Sequence, residues 1–196
     1  MNKFLSVIFL SGLALVGNAE ARLGETLEKC EKEYGKLNDP DGEMKMADPE
    51  KYFAKIAKEE VYGLQLPIDR VFRKSDNTCV FVGVSELYGA SEKTQISFPT
   101  AQKFIEKNIP VSAGKLTIVF SEGFENGVPS SNKWVARWAD PDEEITALAV
   151  CGQKRKKRDQ ELLVNCVQIY TKEFGDDMRD WNENRKQELR ELFPRK

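Results

Sequence analysis

Histidine is absent from the 196 residues. That removes the side chain most often used as a general base near neutral pH, and the imidazole most often used to bind metals. Serine and cysteine nucleophiles that rely on a histidine are excluded with it, and no Gly-x-Ser-x-Gly elbow occurs. An excess of one charge is also lacking. Thirty lysines and arginines stand against 32 aspartates and glutamates, a net of −2, whereas a dedicated nucleic-acid binder carries a large basic excess. There is no Cys-x-x-Cys, so neither a thioredoxin-type redox motif nor a zinc ribbon is indicated, and there is no Asn-x-Ser/Thr sequon. Long apolar runs are missing after the first 16 residues, so no membrane span is expected.

What is present begins with that one apolar run. Lys3 supplies a positive charge, Phe4 to Val16 is nearly all apolar, and Ala19-Glu20-Ala21 has the small-x-small form of a signal-peptidase site. The run falls short of the roughly 20 residues of a transmembrane helix. Residues 1–21 therefore read as a signal peptide, with the mature chain starting at Arg22. The first cysteine, Cys30, follows Leu27-Glu28-Lys29, which is not a lipobox. The expected destination is export, periplasmic or secreted, without a lipid anchor. Residues 22–196 are expected to form a single α+β domain, since their length suits one core.

Along that stretch, Thr26 is placed to cap a short helix with Leu27, Cys30 and Tyr34 on one face and Gly35 at its end. Asp48-Pro49 suggests a second helix carrying Tyr52, Phe53 and Ile56 on one side. Val71 to Lys74 and Thr78 to Val84 flank a Ser-Asp-Asn turn and read as a hairpin. Thr94 to Phe98 reads as a strand. The following Pro-Thr-Ala-Gln-Lys-Phe-Ile-Glu-Lys-Asn-Ile-Pro reads as a helix with Ala101, Phe104 and Ile105 inward, stopped by Asn108 and Pro110. Leu116, Ile118 and Phe120 alternate like one face of a strand, as do Trp134, Ala136 and Trp138, with a turn-rich loop, 121–132, between them. Two more strands cover 144–151 and 161–170. Asp176 is placed to cap a last helix whose stripe, Met178, Trp181, Leu189 and Leu192, is broken by Arg185. The sum is an α+β fold: a mainly antiparallel sheet with a short N-terminal helix, one or two internal helices and a C-terminal helix.

Candidate chemistry is sparse. Four cysteines, Cys30, Cys79, Cys151 and Cys166, form an even set in a chain read as exported, which suggests disulfides. If the last two strands form a hairpin centred near Arg158-Asp159, Cys151 and Cys166 fall directly opposite each other, within bridging distance. Cys30 and Cys79 are then left as a second pair. Lys154, Arg155, Lys156, Lys157 and Arg158 form the densest charge cluster. It reads either as a solvated hairpin loop or as a contact for an anionic surface. Asp39, Asp41 and Glu43 resemble a piece of a calcium loop, but Gly42 falls at its fourth position and not its sixth, so no metal or other cofactor is expected. Asp140, Asp142, Glu143 and Glu144 would serve a hydrolase only if two of them faced each other across a cleft. Trp134 and Trp138 could stack sugars or fill a core; burial is the expectation.

Arg22-Leu23-Gly24-Glu25-Thr26, a short helix and then Tyr34-Gly35 resemble the opening of a family of small exported bacterial proteins of unknown function. The stretches 71–98, 133–150 and 162–174 are similar to that family's strands and closing hairpin. A more distant resemblance is to the SmpA/OmlA-type outer-membrane assembly lipoproteins. Leu37 stands where those proteins have proline, and their lipid-bearing cysteine has no counterpart here; residues 40–70 look inserted relative to the shorter members. These readings together imply a non-enzymatic interaction or accessory module of the bacterial envelope, whose partner is an envelope protein or an anionic surface. A secreted carboxylate-dependent hydrolase and an inhibitor-like binding domain displaying loop 121–132 are the alternatives.

Overall fold

The computed structural model describes residues 22–39, 47–61, 64–84, 96–125, 128–130, 134–151, 163–164 and 166–192. The proposed signal peptide, the basic cluster Lys154 to Arg158, and Asp41 and Glu43 lie outside them.

In chain order the elements are α1 (Leu27–Tyr34), β1 (Tyr52–Val61), β2 (Leu64–Arg73), β3 (Cys79–Val84), β4 (Ile96–Ser97) and α2 (Phe98–Asn108). After a single 3₁₀ turn (Val111–Ala113) come β5 (Thr117–Glu122), β6 (Phe124–Glu125), β7 (Val128–Pro129), β8 (Trp134–Ala139), β9 (Ile145–Cys151), β10 (Leu163–Val164), β11 (Cys166–Thr171) and α3 (Lys172–Leu192). Seven strands form the main sheet, in the order β1-β2-β3-β11-β9-β8-β5, and every neighbouring pair is antiparallel. The chain is thus α+β with a mainly antiparallel sheet.

One face of the sheet, called the front, is covered by α1 and α2. Cys30 of α1 and Phe98, Ala101, Phe104 and Ile105 of α2 share a core there with Ile68, Phe72, Val82, Ala147 and Ile169. Thr26 caps α1, its Oγ1 accepting from the Lys29 amide, and Gly35 ends the helix at φ +80°, a conformation that favours glycine. Ser97 does the same for α2 through the Thr100 amide. On the back face, Phe174 of α3 sits between Tyr52 and Phe81, with ring centroids 5.1 and 5.7 Å away, over Val71 and Val80. The Phe81 ring also lies against Gly83. A Cβ there would come within 2.7 Å of Phe81 Cζ and 3.1 Å of the Val167 carbonyl oxygen, so a side chain at this position would displace the core.

Four expectations are corrected. The helix expected after Asp48 is strand β1. Asp48 does accept from the Glu50 amide, but the turn stops at Lys51. Tyr52 and Ala54 then face the back core while Phe53 and Ala57 face the front core, and a ten-residue ladder with β2 takes every backbone group on one side. Asp176 does not begin the last helix. The helix follows β11 directly, with Thr171 Oγ1 accepting from the Phe174 amide, and Asp176 sits in its second turn.

The strand around Leu116, Ile118 and Phe120 does not bury one face. A bulge at Val119 shifts its register on β8, so Ile118 pairs with the buried Trp138 and Phe120 with the exposed Arg137. The β9–β11 pairing is one residue from the expected register. Cys166 lies opposite Val150, and Val167 opposite Ala149. The physical reason is burial: this register faces Val167 and Ile169 to the front core, while Leu163 and Val164 pair with Ser97 and Ile96 of β4. A one-residue slip turns the whole strand over, which brings Val167 and Ile169 into the front core and sends Cys166 to the back face.

Candidate binding surface

The two edges of the sheet differ. Outside β1, Asn38 exchanges two backbone hydrogen bonds with Ile56 (2.9 and 2.8 Å), and Asp39 takes an ion pair from Lys55 at 2.8 Å. A bridge and a charge therefore cover that edge, as is usual for edges that must not recruit another strand. Among the described residues, β5 pairs only with β8, and all six of its residues are exposed. Ile118, Val119 and Phe120 are 42%, 45% and 50% exposed. No lysine or proline interrupts the strand; only the bulge at Val119 does.

Beside this edge, on the front face, the end of α2 and the sheet enclose a cleft of about 510 Å³. Ile105 and Ile109 form one wall, Leu116 the other, and Trp138 the floor, while Gln102, Glu106 and Lys115 give polar groups at the same site. The floor is rigid because Trp138 stacks on Phe98 (6.0 Å), which meets Trp134 edge-on at 5.2 Å, with Phe124 edge-on to both. The same packing decides the tryptophan question. Trp134 is buried in the core, and Trp138 is buried except toward the cleft. Ile118 lies next to this surface because it pairs with Trp138 across the ladder.

The candidate residues from the sequence fall elsewhere. Asp140 is buried at the β8–β9 turn, where its carboxylate accepts from the Ile145 amide at 2.7 Å; Asp142, Glu143 and Glu144 are exposed around it. The cleft holds one carboxylate in its lining, Glu106, and no facing pair. Asp39 is taken up by Lys55. Among the described residues no three His, Cys, Asp or Glu side chains gather as a metal site, and no helix is long and apolar enough to cross a membrane. In loop 121–132, Phe124 and Glu125 pair with Pro129 and Val128.

Of the cysteines, Cys30, Cys79 and Cys166 are free thiols here. The directly opposed Cys151–Cys166 pair is not formed, because of the register slip. Cys166 is buried on the back face, where burial and the charge of Asp69 push its thiol up to about 11. Cys30 and Cys79 are brought together, both fully buried in the front core.

Above them lies a residue not singled out from the sequence. Arg70, 1% exposed, is held by Glu59 through Nη1 and lies 4.7 Å over the Tyr34 ring. Its Nε and Nη2 find no hydrogen-bond partner among the described residues. Burial works against its charge, but the hydrogen bond and charge of Glu59 outweigh it, so its pKa is raised. A signal existed: in Leu64-Gln-Leu-Pro-Ile-Asp-Arg-Val-Phe, Arg70 is in phase with Leu66, Ile68 and Phe72.

Comparison with known proteins gave no match: no family model, no curated protein and no solved structure resembles this chain closely enough to inform its role. The class is set by fold and surface alone: an α+β protein with a mainly antiparallel sheet, one covered edge and, among the described residues, one bare apolar edge beside a cleft.

Proposed function

We propose that this is an exported, non-enzymatic interaction module of the bacterial envelope that binds an extended segment of a partner polypeptide along β5. The observation that carries the reading is the exposure of Ile118, Val119 and Phe120 on an edge that, among the described residues, pairs only with β8. An extended segment would hydrogen-bond to the outward backbone groups of β5, and an apolar side chain would enter the cleft over Trp138. Backbone pairing supplies affinity, and the cleft supplies selectivity for apolar residues at one position of the segment.

The test is a displayed library of random peptides. Enriched sequences should alternate apolar residues, and Ile118→Lys should weaken their binding by about tenfold or more. Because Ile118 is 42% exposed, that variant should melt at the temperature of the unaltered protein. Unchanged affinity in Ile118→Lys would remove β5 as the site.

The reading of export rests on the signal sequence, and the start of the fold leaves room for cleavage after Ala21. Leu23 is buried and its amide donates to the Asn108 carbonyl oxygen at 2.9 Å, so cleavage further downstream would remove a core residue. The Arg22 amide donates to Glu25 Oε2 at 3.1 Å. Cleavage after Ala21 would turn that amide into an ammonium facing a carboxylate, a stronger contact. N-terminal sequencing of protein recovered from an envelope fraction should begin at Arg22, and an intact Met1 there would refute the cleavage.

A further inference from the structure

Cys30 and Cys79 are nucleophilic groups that the docking role leaves unused, and the backbone holds them in one place. The segment before α1 is zipped onto the start of β3. Gly24 donates to the Cys79 carbonyl oxygen (2.8 Å), Cys79 to that of Glu25 (2.8 Å), and Leu27 to that of Asn77 (2.9 Å), with Thr26 bridged to Thr78. Cys30 is one turn into the helix, its amide donating to the Thr26 carbonyl oxygen at 3.0 Å. Helical side chains lean back toward the N-terminus, so the Cys30 thiol covers the very turn that is pinned to Cys79. Both residues are 0% exposed and belong to one core cluster.

We propose that Cys30 and Cys79 are joined by a disulfide in the exported protein, stapling α1 to β3; the structure holds the reduced form of the same pair. The bond forms by exchange with a low-molecular or protein disulfide. One cysteine thiolate attacks the donor disulfide, forming a mixed disulfide and expelling one donor thiolate. The second cysteine thiolate then attacks the cysteine sulfur of that mixed disulfide and expels the other. Two cysteine thiols are oxidised, one donor disulfide is reduced to two thiols, and the cysteine protons pass through solvent to the leaving thiolates.

The environment decides when this happens. Burial pushes the Cys30 thiol up to about 11 and the Cys79 thiol up to about 12, with the Arg70 charge only partly opposing it. Thiols held so high are poor nucleophiles, so exchange belongs to the folding chain, before α1 docks. Cys166 does not compete for Cys79, because the register puts it on the back of the sheet.

Refolding the reduced full-length mature chain with oxidised glutathione tests this. Peptide mapping without reduction should show Cys30 linked to Cys79, while the same reagent added to the folded reduced protein should give little or none. Reducing the bridge should lower Tm by roughly 10 °C, since it closes a loop of about 50 residues. Both cysteines alkylated as free thiols after oxidative refolding, or either one linked to Cys151 or Cys166, would overturn the proposal. The Cys166→Ala chain should keep the bridge, and its loss there would overturn it too.

Discussion

Glu59→Leu is expected to cost about 3–5 kcal/mol of stability, because it leaves the Arg70 guanidinium buried and unpaired. Nη1 would join Nε and Nη2 without an acceptor, and the stack on Tyr34 cannot replace a carboxylate. A second substitution separates the pair's net worth from the cost of orphaning a charge. Arg70→Met together with Glu59→Leu fills the same space with apolar atoms and should recover most of the loss, since buried ion pairs replaced by apolar side chains are often neutral or better. Urea unfolding of the two single variants and the double variant measures this. A Glu59→Leu loss below about 1 kcal/mol would mean that solvent reaches Arg70, as for an exposed pair.

Phe174→Ala should cost about 3–5 kcal/mol as well, the usual range for truncating a fully buried phenylalanine. The consequence should be local. Phe174 lies at the start of α3 between Tyr52 and Phe81, whereas residues 183–188 further along the helix are exposed. Its other ties to the sheet are Met178, packed against the same cluster, and polar contacts: Tyr52 Oη and Lys51 Nζ both donate to Asp177, and Arg73 pairs with Glu173. Hydrogen exchange across Lys172–Leu192 should therefore accelerate more than exchange in β9. Equal acceleration throughout would show that α3 and the sheet unfold as one unit.

The α+β class, the capped first helix, the second helix with Ala101, Phe104 and Ile105 inward, the β2–β3 hairpin and the burial of Trp134 were legible because local signals and tertiary packing agree there. A cap, a helical stripe, a Ser-Asp-Asn turn and a strict alternation each specify one local geometry, and the core had no reason to overrule it. Where they failed, a partner distant in sequence supplied the deciding energy. Tyr52, Phe53 and Ile56 fit a helix face, but the ladder with β2 and two cores, one on each side, make the strand better.

The cysteines show the same division. Sequence alone placed Cys30 and Cys79 on a helix and a strand that could meet, through the cap at Thr26 and the turn before Thr78. The partner of Cys166 depended on register, and register depended on which side of β11 the front core takes up, that of Val167 and Ile169. The bare edge was beyond the reach of sequence for a related reason. Leu116, Ile118 and Phe120 have the alternation of a core strand, and which strand ends a sheet is decided by strand order, a property of the whole chain. Ile118 and Phe120 would be core in the middle of the sheet; at its end they are exposed surface beside a cleft.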